Sequence, residues 1–328
     1  TTSTSAEMRV LVTRPLPAQC LARLRQVVEV TLRDEPFPPS EDDLVALIPG
    51  HEAMICQLTE PITAQVLDAA PTLRLVSQVA VGLDNVDLGA CRERGIAVAH
   101  TPGVLTDATA DLAMALMLAA ARRLPEAERY VRGGRWTVWS LDLLTGLELR
   151  GAVLGIVGLG RIGQAVARRA RAFGMRIVYS GRRRAAREIE EELDATWCAL
   201  DDLLAQSDVV SLHAPLTDAT RGLFDADRLQ RLKPGAILVN TARGGLIDEP
   251  ALADALDAGP LAFAALDVFA DEPRVHPSLL DRGDVLLVPH IGSATRATRR
   301  RMADLATDAV IDFAQGRPLA HPALTSGG

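Results

Sequence analysis

"GIVGLGRIGQAVARRA", residues 155–170, carries Gly158, Gly160 and Gly163 in the spacing G-x-G-x-x-G. The spacing follows an apolar run that predicts a strand, and it opens a segment with helical periodicity. In that context the first glycine permits a tight turn, the second lets a pyrophosphate approach the backbone, and the third lets helix and strand pack closely. We therefore predict a dinucleotide site rather than glycines that serve only the fold. Its residues are Gly158, Leu159, Gly160, Arg161, Ile162 and Gly163.

On both sides of this turn, short β-rich runs alternate with helical ones, which predicts parallel sheets covered by helices. We predict an α/β protein with two doubly wound parallel-sheet domains, a Rossmann cofactor domain inserted in a flavodoxin-like substrate domain. A helical segment from about residue 294 to residue 315 is expected to return to the first sheet. The predicted substrate-binding domain is therefore discontinuous, comprising residues 1–103 and 294–328, and the dinucleotide-binding domain comprises residues 104–293.

Composition excludes several classes of function. The net charge of -7 argues against a nucleic-acid or anionic-membrane binder. Four scattered cysteines without a CxxC pair predict neither a disulfide framework nor a metal site, and they favour a reducing cytoplasm. The apolar run LAMALMLAAA, residues 112–121, is about half the length of a membrane span, so we predict a buried helix. The N-terminal TTSTSAE does not resemble a signal peptide and is expected to be disordered.

The stretch IVYSGRRRAAR, residues 177–187, predicts which dinucleotide is preferred. In an NAD site an acid about 20 residues beyond the glycines binds the ribose diol. Here Ser180 occupies that place, and Ser180, Arg182 and Arg183 can bind a 2′-phosphate through charge-assisted hydrogen bonds. We predict that NADPH is preferred and that NADH is possible. The alternative is a solvated basic loop, because RRRAAREIEEE also has the composition of a charged surface helix.

Three polar residues follow apolar strands of the predicted second sheet: Arg243 in NTARGG, Glu272 in LDVFADEP and His290 in PHIGSAT. Ligands bind at this carboxyl edge in doubly wound folds. A guanidinium can bind a substrate carboxylate, and a histidine beside a carboxylate can keep a proton available near neutral pH. The alternatives are a buried salt bridge for Arg243 and Glu272 and a capping or core role for His290.

These motifs together resemble the D-isomer-specific 2-hydroxyacid dehydrogenase family over essentially the whole chain. The matching stretches are VGLDNVD, GLGRIG, HAPLTDAT, NTARGG, LDVFADEP and PHIGSAT, which begin at residues 81, 158, 213, 240, 266 and 289. Three others resemble the glyoxylate/hydroxypyruvate reductase branch: TDATADLAMALML, RRLPEAERYVRGGRWTVW and YSGR.

The resemblance implies roles for individual residues. His290 would be the acid/base, Glu272 its partner, and Arg243 the group that binds the substrate carboxylate and polarises the carbonyl. Backbone amides of Val81 and Gly82 would hold the other side of the carboxylate. The remaining residues that the resemblance assigns to the cofactor channel are His213, Ala214, Pro215, Thr241 and Ala242, with Asp267 contacting the nicotinamide amide.

Two of these assignments have structural alternatives. Asp267 could instead be a turn or cap residue, which is common for an aspartate after a strand. Trp136 and Trp139 could be anchors of a core or an interface, since aromatic residues are enriched in interfaces. The resemblance implies instead that Trp139 reaches across a homodimer and closes the partner's substrate pocket.

The residues at the end of the β-rich run 177–180 and after it predict a preference for NADPH and the cysteines a cytoplasmic protein, and the resemblance implies an enzyme that reduces glyoxylate to glycolate and hydroxypyruvate to D-glycerate. One alternative is a dehydrogenase of a bulkier D-2-hydroxy acid. Another is a dinucleotide-sensing binding protein similar to the corepressors that resemble this family. Arg243, Glu272 and His290 occur together in this chain, which favours the enzyme.

Overall fold

The structure is a computed structural model that describes residues 8–325, so the TTSTSAE stretch and the last three residues lie outside the described residues. The chain divides into two compact units. The first unit runs to Leu105 and resumes at Thr295, and the second unit spans Thr106–Ala294.

The first unit is built on a six-stranded sheet. Its strands are β1 (Arg9–Val12), β2 (Glu29–Leu32), β3 (Ala53–Cys56), β4 (Leu75–Gln78), β5 (Ala97–Ala99) and β13 (Pro322–Leu324). The strand order is β13-β5-β4-β3-β1-β2, and only the pair of β13 with β5 is antiparallel among the described strands. Without β13 this is the flavodoxin-like order.

Five helices accompany this sheet in the described part of the first unit: α1 (Ala18–Leu24), α2 (Glu41–Leu47), α3 (Ala64–Asp68), α4 (Leu88–Glu93) and α13 (Arg296–Ala314). Side chains stabilise several N-termini, and Ser40 with Asp43 forms a capping box at the start of α2. The last helix packs against β3 and β4, where the Ser77 hydroxyl donates to the Ala306 carbonyl at 2.9 Å.

The second unit contains a seven-stranded, fully parallel sheet. Its strands are β6 (Val153–Val157), β7 (Arg176–Ser180), β8 (Ala195–Trp197), β9 (Val209–Leu212), β10 (Ala236–Asn240), β11 (Leu261–Leu266) and β12 (Val285–Leu287). The order β12-β11-β10-β9-β6-β7-β8 is that of a Rossmann fold extended by one strand. The prediction of two doubly wound parallel sheets is confirmed.

Helices cover both faces of this sheet, and β6, β9 and β10 are buried along their whole length, as expected for a parallel sheet. The helices are α5 (Thr106–Ala121), α6 (Leu124–Arg132), α7 (Arg161–Ala172), α8 (Arg187–Leu193), α9 (Leu200–Gln206), α10 (Ala226–Gln230), α11 (Glu249–Ala258) and α12 (Pro277–Leu280). The apolar run 112–121 lies in α5, whose alanines and methionines pack against α7. Within residues 8–325, no helix is both long and apolar enough to cross a bilayer.

Candidate active site

The glycine turn joins the end of β6 to the start of α7. Gly158 has φ of 97°, a conformation that L side chains rarely adopt, and its N–H donates to the Ser180 carbonyl at 2.8 Å. A Cβ on Gly163 would lie 2.3 Å from the Gly158 carbonyl oxygen, so helix and strand pack too closely for any side chain. A Cβ on Gly160 would meet nothing within 4 Å. The protein therefore leaves room beside Gly160, at the N-terminus of α7, for a pyrophosphate.

The 2′-phosphate candidates follow β7 at the same edge of the sheet. Ser180 is the last residue of the strand and is buried, whereas Arg182 and Arg183 are exposed in the loop that leads to α8. The next arginine, Arg184, pairs with Glu190. The structure thus presents two exposed guanidiniums after the strand that pairs with β6.

His213, Ala214 and Pro215 follow β9, which lies beside β6. A Cβ on Gly158 would lie 2.8 Å from the Ala214 nitrogen, so this segment passes against the glycine turn. His213 Nε2 lies 2.8 Å from the Ser211 hydroxyl. Burial lowers the pKa of His213 to about 4. The imidazole is therefore neutral at neutral pH and is not a proton donor.

Thr241 and Ala242 follow β10 and connect it to Arg243. The Thr241 hydroxyl is buried and has no hydrogen-bond partner within the described residues. A buried hydroxyl without a partner is costly, and a bound cofactor could supply one. The unpaired Thr241 hydroxyl and the room beside Gly160 fit a bound dinucleotide.

Asn240 holds the segment that carries Arg243, a role that sequence reasoning did not identify. Its buried side chain donates from Nδ2 to the Arg243 carbonyl at 2.9 Å and accepts from the Ala242 amide at 3.0 Å. The Arg243 guanidinium donates to the Ala242 carbonyl at 2.7 Å. The backbone at Arg243 is therefore fixed from the end of β10.

His290 and Glu272 form a hydrogen-bonded pair, although 18 residues separate them in the chain. His290 Nδ1 lies 2.7 Å from Glu272 Oε2, and Glu272 Oε1 accepts from the Phe269 amide at 3.0 Å. Burial raises the pKa of Glu272, but the hydrogen bond from His290, its charge, the Phe269 amide and Arg243 outweigh that effect and leave the pKa below its ordinary value. The ionised carboxylate orients the ring and leaves Nε2 for a substrate.

Asp267 holds the chain on either side of His290. Its carboxylate, 1% exposed, accepts from the Ile291 amide at 2.5 Å and the Gly292 amide at 2.8 Å, and its carbonyl accepts from the His290 amide at 2.9 Å. Burial raises the pKa of Asp267, and the two amides and the His290 charge offset it only in part. This turn keeps His290 at φ of 52°, which is rare for a residue other than glycine. A contact between Asp267 and nicotinamide stays a prediction.

The segments that carry Arg243 and Glu272 pack directly against each other. A Cβ on Gly244 would lie 1.8 Å from the Phe269 carbonyl carbon. Nearby, Glu249 is buried and its Oε1 accepts from the Ala270 amide at 2.8 Å. Arg243, Glu272 and His290 therefore come from three segments of the second unit that are held in place by backbone contacts.

The other predicted substrate residues belong to other segments of the chain. Val81 and Gly82 follow β4 in the first unit, where the Val81 carbonyl lies 3.0 Å from His100 Nδ1. Trp136 and Trp139, 57% and 71% exposed, lie in the second unit on a segment without helix or strand. The exposure excludes a core role for these tryptophans. Among residues 8–325, no group of three or more His, Cys, Asp or Glu side chains could hold a metal ion.

Comparison with known proteins yields a match to a family model. The model describes the NAD binding domain of D-isomer specific 2-hydroxyacid dehydrogenases and matches residues 114–292. A glyoxylate reductase of Korarchaeum cryptofilum is 47% identical over 311 residues, which are 94% of this chain and 93% of that protein.

Solved structures agree in fold along nearly the whole chain. The crystal structure of a Thermus thermophilus protein is 47% identical, with a TM-score of 0.90 over 97% of this chain and 100% of that one. An NADPH-dependent glyoxylate/hydroxypyruvate reductase of Sinorhizobium meliloti, crystallised with NADP and malonate, is 36% identical, with a TM-score of 0.85 over 96% of each chain.

Proposed function

The chain belongs to the D-isomer specific 2-hydroxyacid dehydrogenase family and is an NAD(P)-dependent oxidoreductase of the glyoxylate reductase type, and from this premise we propose that it reduces glyoxylate to glycolate and hydroxypyruvate to D-glycerate. The predicted family and enzyme class are thereby confirmed. The observation that carries the proposed reaction is the pair of His290 Nδ1 and Glu272 Oε2, 2.7 Å apart, in the unit that contains the glycine turn.

In the proposed reaction, the turn of Gly158, Gly160 and Gly163 would hold a nicotinamide dinucleotide, which would supply the hydride for the carbonyl carbon of the 2-oxo acid. His290 gives the proton on Nε2 to the carbonyl oxygen, and Glu272 stabilises the imidazolium before that transfer. Arg243 binds the substrate carboxylate through its planar guanidinium and polarises the carbonyl. Trp139, reaching across the proposed homodimer, limits the size of the substrate that the partner subunit binds.

We propose NADPH as the preferred cofactor. Ser180, Arg182 and Arg183 stand where an NAD site usually has an acid, and both arginines are exposed. Two guanidiniums can bind a 2′-phosphate by charge-assisted hydrogen bonds, whereas an acid would repel it. The Sinorhizobium meliloti relative, which is NADPH-dependent by its description, supports this assignment.

A panel of 2-oxo acids assayed in parallel with NADPH and NADH tests the function. We expect the highest kcat/KM with glyoxylate and hydroxypyruvate, and a preference of about tenfold for NADPH. Faster reduction of phenylpyruvate would instead indicate an enzyme for bulkier substrates. Cofactor binding without turnover of any 2-oxo acid would indicate a dinucleotide-sensing protein, and equal rates with NADH would contradict the cofactor assignment.

We also propose that the enzyme is a homodimer. Six apolar side chains between residues 124 and 141 are 52% to 86% exposed: Leu124, Val131, Trp136, Val138, Trp139 and Leu141. Such a concentration of exposed apolar surface typically marks an interface. Sedimentation velocity should give the mass of two chains, and a mass of one chain at micromolar concentration would contradict the proposal.

The cysteines support the cytoplasm as the proposed compartment. All four are free thiols, and three of them are buried. Burial raises the pKa of Cys91 to about 11, so this thiol is protonated and unreactive at neutral pH. Unpaired, buried thiols are typical of proteins in a reducing environment.

A further inference from the structure

The end of the loop that carries Arg182 and Arg183 is held by a hydrogen bond to a side chain of β7, the strand before it. Tyr179, 1% exposed, is the penultimate residue of β7. Its hydroxyl accepts from the Ala185 amide at 2.7 Å and donates to Glu190 Oε1 at 2.6 Å. One hydroxyl thus hydrogen-bonds both to the end of the loop and to α8, and it holds both segments against β7.

Arg184 completes this contact by a two-pronged ion pair. Its Nε lies 2.9 Å from Glu190 Oε1, and its Nη2 lies 2.9 Å from Glu190 Oε2. The hydrogen bonds from Arg184 and Tyr179 lower the pKa of Glu190, so the carboxylate is ionised and its charge is compensated. Arg184 is therefore engaged by Glu190, and Arg182 and Arg183 extend from the closed loop into solvent.

The fixed conformation of this loop increases the affinity with which the two arginines can bind an anion. Residues 181–186 contain Gly181, which permits many backbone conformations, and three consecutive arginines, whose positive charges repel one another. Ordering such a segment only when a ligand binds would cost affinity, because side-chain and backbone freedom is lost at that moment. A loop whose conformation is already fixed by its hydrogen bond to Tyr179 avoids most of that loss of conformational freedom. Glu190, paired with Arg184, also exerts less repulsion on a nearby phosphate.

We propose that Tyr179, Arg184 and Glu190 are positioning residues that hold Arg182 and Arg183 for the 2′-phosphate, and so determine the preference for NADPH over NADH. The inference rests on the proposed cofactor. None of the three residues needs to contact the cofactor, because they act through the conformation of the loop. NADH lacks the 2′-phosphate, so its affinity does not depend on this conformation.

Glu190→Ala and Tyr179→Phe test the proposal, with Glu191→Ala as the matched control. Glu191 lies next to Glu190 in α8 and pairs with Arg187, so its removal also breaks a surface ion pair of that helix. Dissociation constants of NADPH and NADH are measured on the full chain by fluorescence titration, with thermal unfolding as a check on folding. We expect the NADPH constant to rise about five- to tenfold in Glu190→Ala and in Tyr179→Phe, with the NADH constant within about twofold. Glu191→Ala should leave both constants unchanged.

Equal weakening of NADPH and NADH would show a merely structural role, and unchanged NADPH binding in both variants would show that the loop is held by other contacts. Either result overturns the proposal, and each variant tests it independently if the other does not fold. The double variant Arg182→Ala/Arg183→Ala separates this inference from the cofactor assignment. If it keeps the NADPH preference, Arg182 and Arg183 do not bind the 2′-phosphate and the inference fails with that assignment; equal binding of NADPH and NADH by the original protein would instead contradict the cofactor assignment. If it loses the preference while Glu190→Ala and Tyr179→Phe retain it, only the positioning role fails.

Discussion

Replacing His290 by alanine should lower kcat for glyoxylate about 10³-fold and leave the dissociation constant of NADPH within about twofold of the original value. The variant removes the proton donor, so the alkoxide that forms at the carbonyl is no longer protonated by the protein. The glycine turn and the loop after β7 are formed by other segments of the second unit, so cofactor binding should persist. Steady-state rates and fluorescence titration measure the two effects separately.

A control for this experiment is His276→Ala, because His276 caps the short helix α12 through the Ser278 amide and has no assigned catalytic role. Its kcat should stay within about twofold, as is usual for substitutions away from the reacting groups. Turnover of His290→Ala at the rate of the control would refute the assignment of the acid. A parallel loss of NADPH affinity would indicate that the substitution disturbs the sheet edge rather than the chemistry.

Much of this site could be predicted because its residues lie next to strong local signals. Gly158 and Gly160 stand between an apolar strand and a helix, and each of Arg243, Glu272 and His290 follows a strand rich in apolar residues. Residues that follow the strands of a parallel sheet lie at one edge of that sheet, whatever the conformation of the loops. The pattern therefore predicted both the Rossmann fold and the region in which the polar residues meet.

The contacts that hold these residues could not be predicted. Asn240 bonds the backbone at Arg243, and Asp267 bonds the amides of Ile291 and Gly292. These interactions depend on loop conformations, such as the positive φ of His290, that the residue type does not suggest. A motif identifies which side chains are present, but not which of their atoms are already hydrogen-bonded within the protein.

Short elements were missed for another reason. The strand β13 has three residues and includes Pro322, and β8 also has three residues. Alternation over so few positions is too weak to be recognised, and tertiary pairing alone makes these segments strands.

The contact of Gly244 with the loop before Glu272 has the largest expected consequence for stability and a large one for activity. The three atoms nearest to a Cβ on Gly244 are the Phe269 carbonyl carbon and oxygen, at 1.8 and 2.1 Å, and the Ala270 nitrogen, at 2.3 Å. All three belong to the backbone, so no side-chain rotation can relieve the clash. In Gly244→Ala the loop must move by more than about 1 Å, since carbon atoms in contact are about 3.5–4 Å apart.

That movement would break one hydrogen bond to the catalytic carboxylate and one that anchors the loop before it. The Phe269 amide would leave Glu272 Oε1, and the Ala270 amide would leave the buried Glu249. We expect kcat/KM for glyoxylate to fall about 100-fold, because a displacement of this size costs about that factor in positioning. The free energy of unfolding should fall by about 3 kcal/mol, as in an overpacked core. Steady-state kinetics and urea unfolding measure these effects.

The adjacent glycine offers a matched control, since Gly245→Ala adds the same methyl group one residue later. Its nearest neighbours would be the two terminal methyl carbons of Leu216, at 3.1 and 3.2 Å, and these can shift by rotation of the leucine side chain. We expect activity within about threefold and stability within about 1 kcal/mol of the original protein. If Gly244→Ala were as active and as stable as this control, the loop would be able to move without loss of activity or stability. The positions of Glu272 and His290 would then not depend on the contact between the two segments.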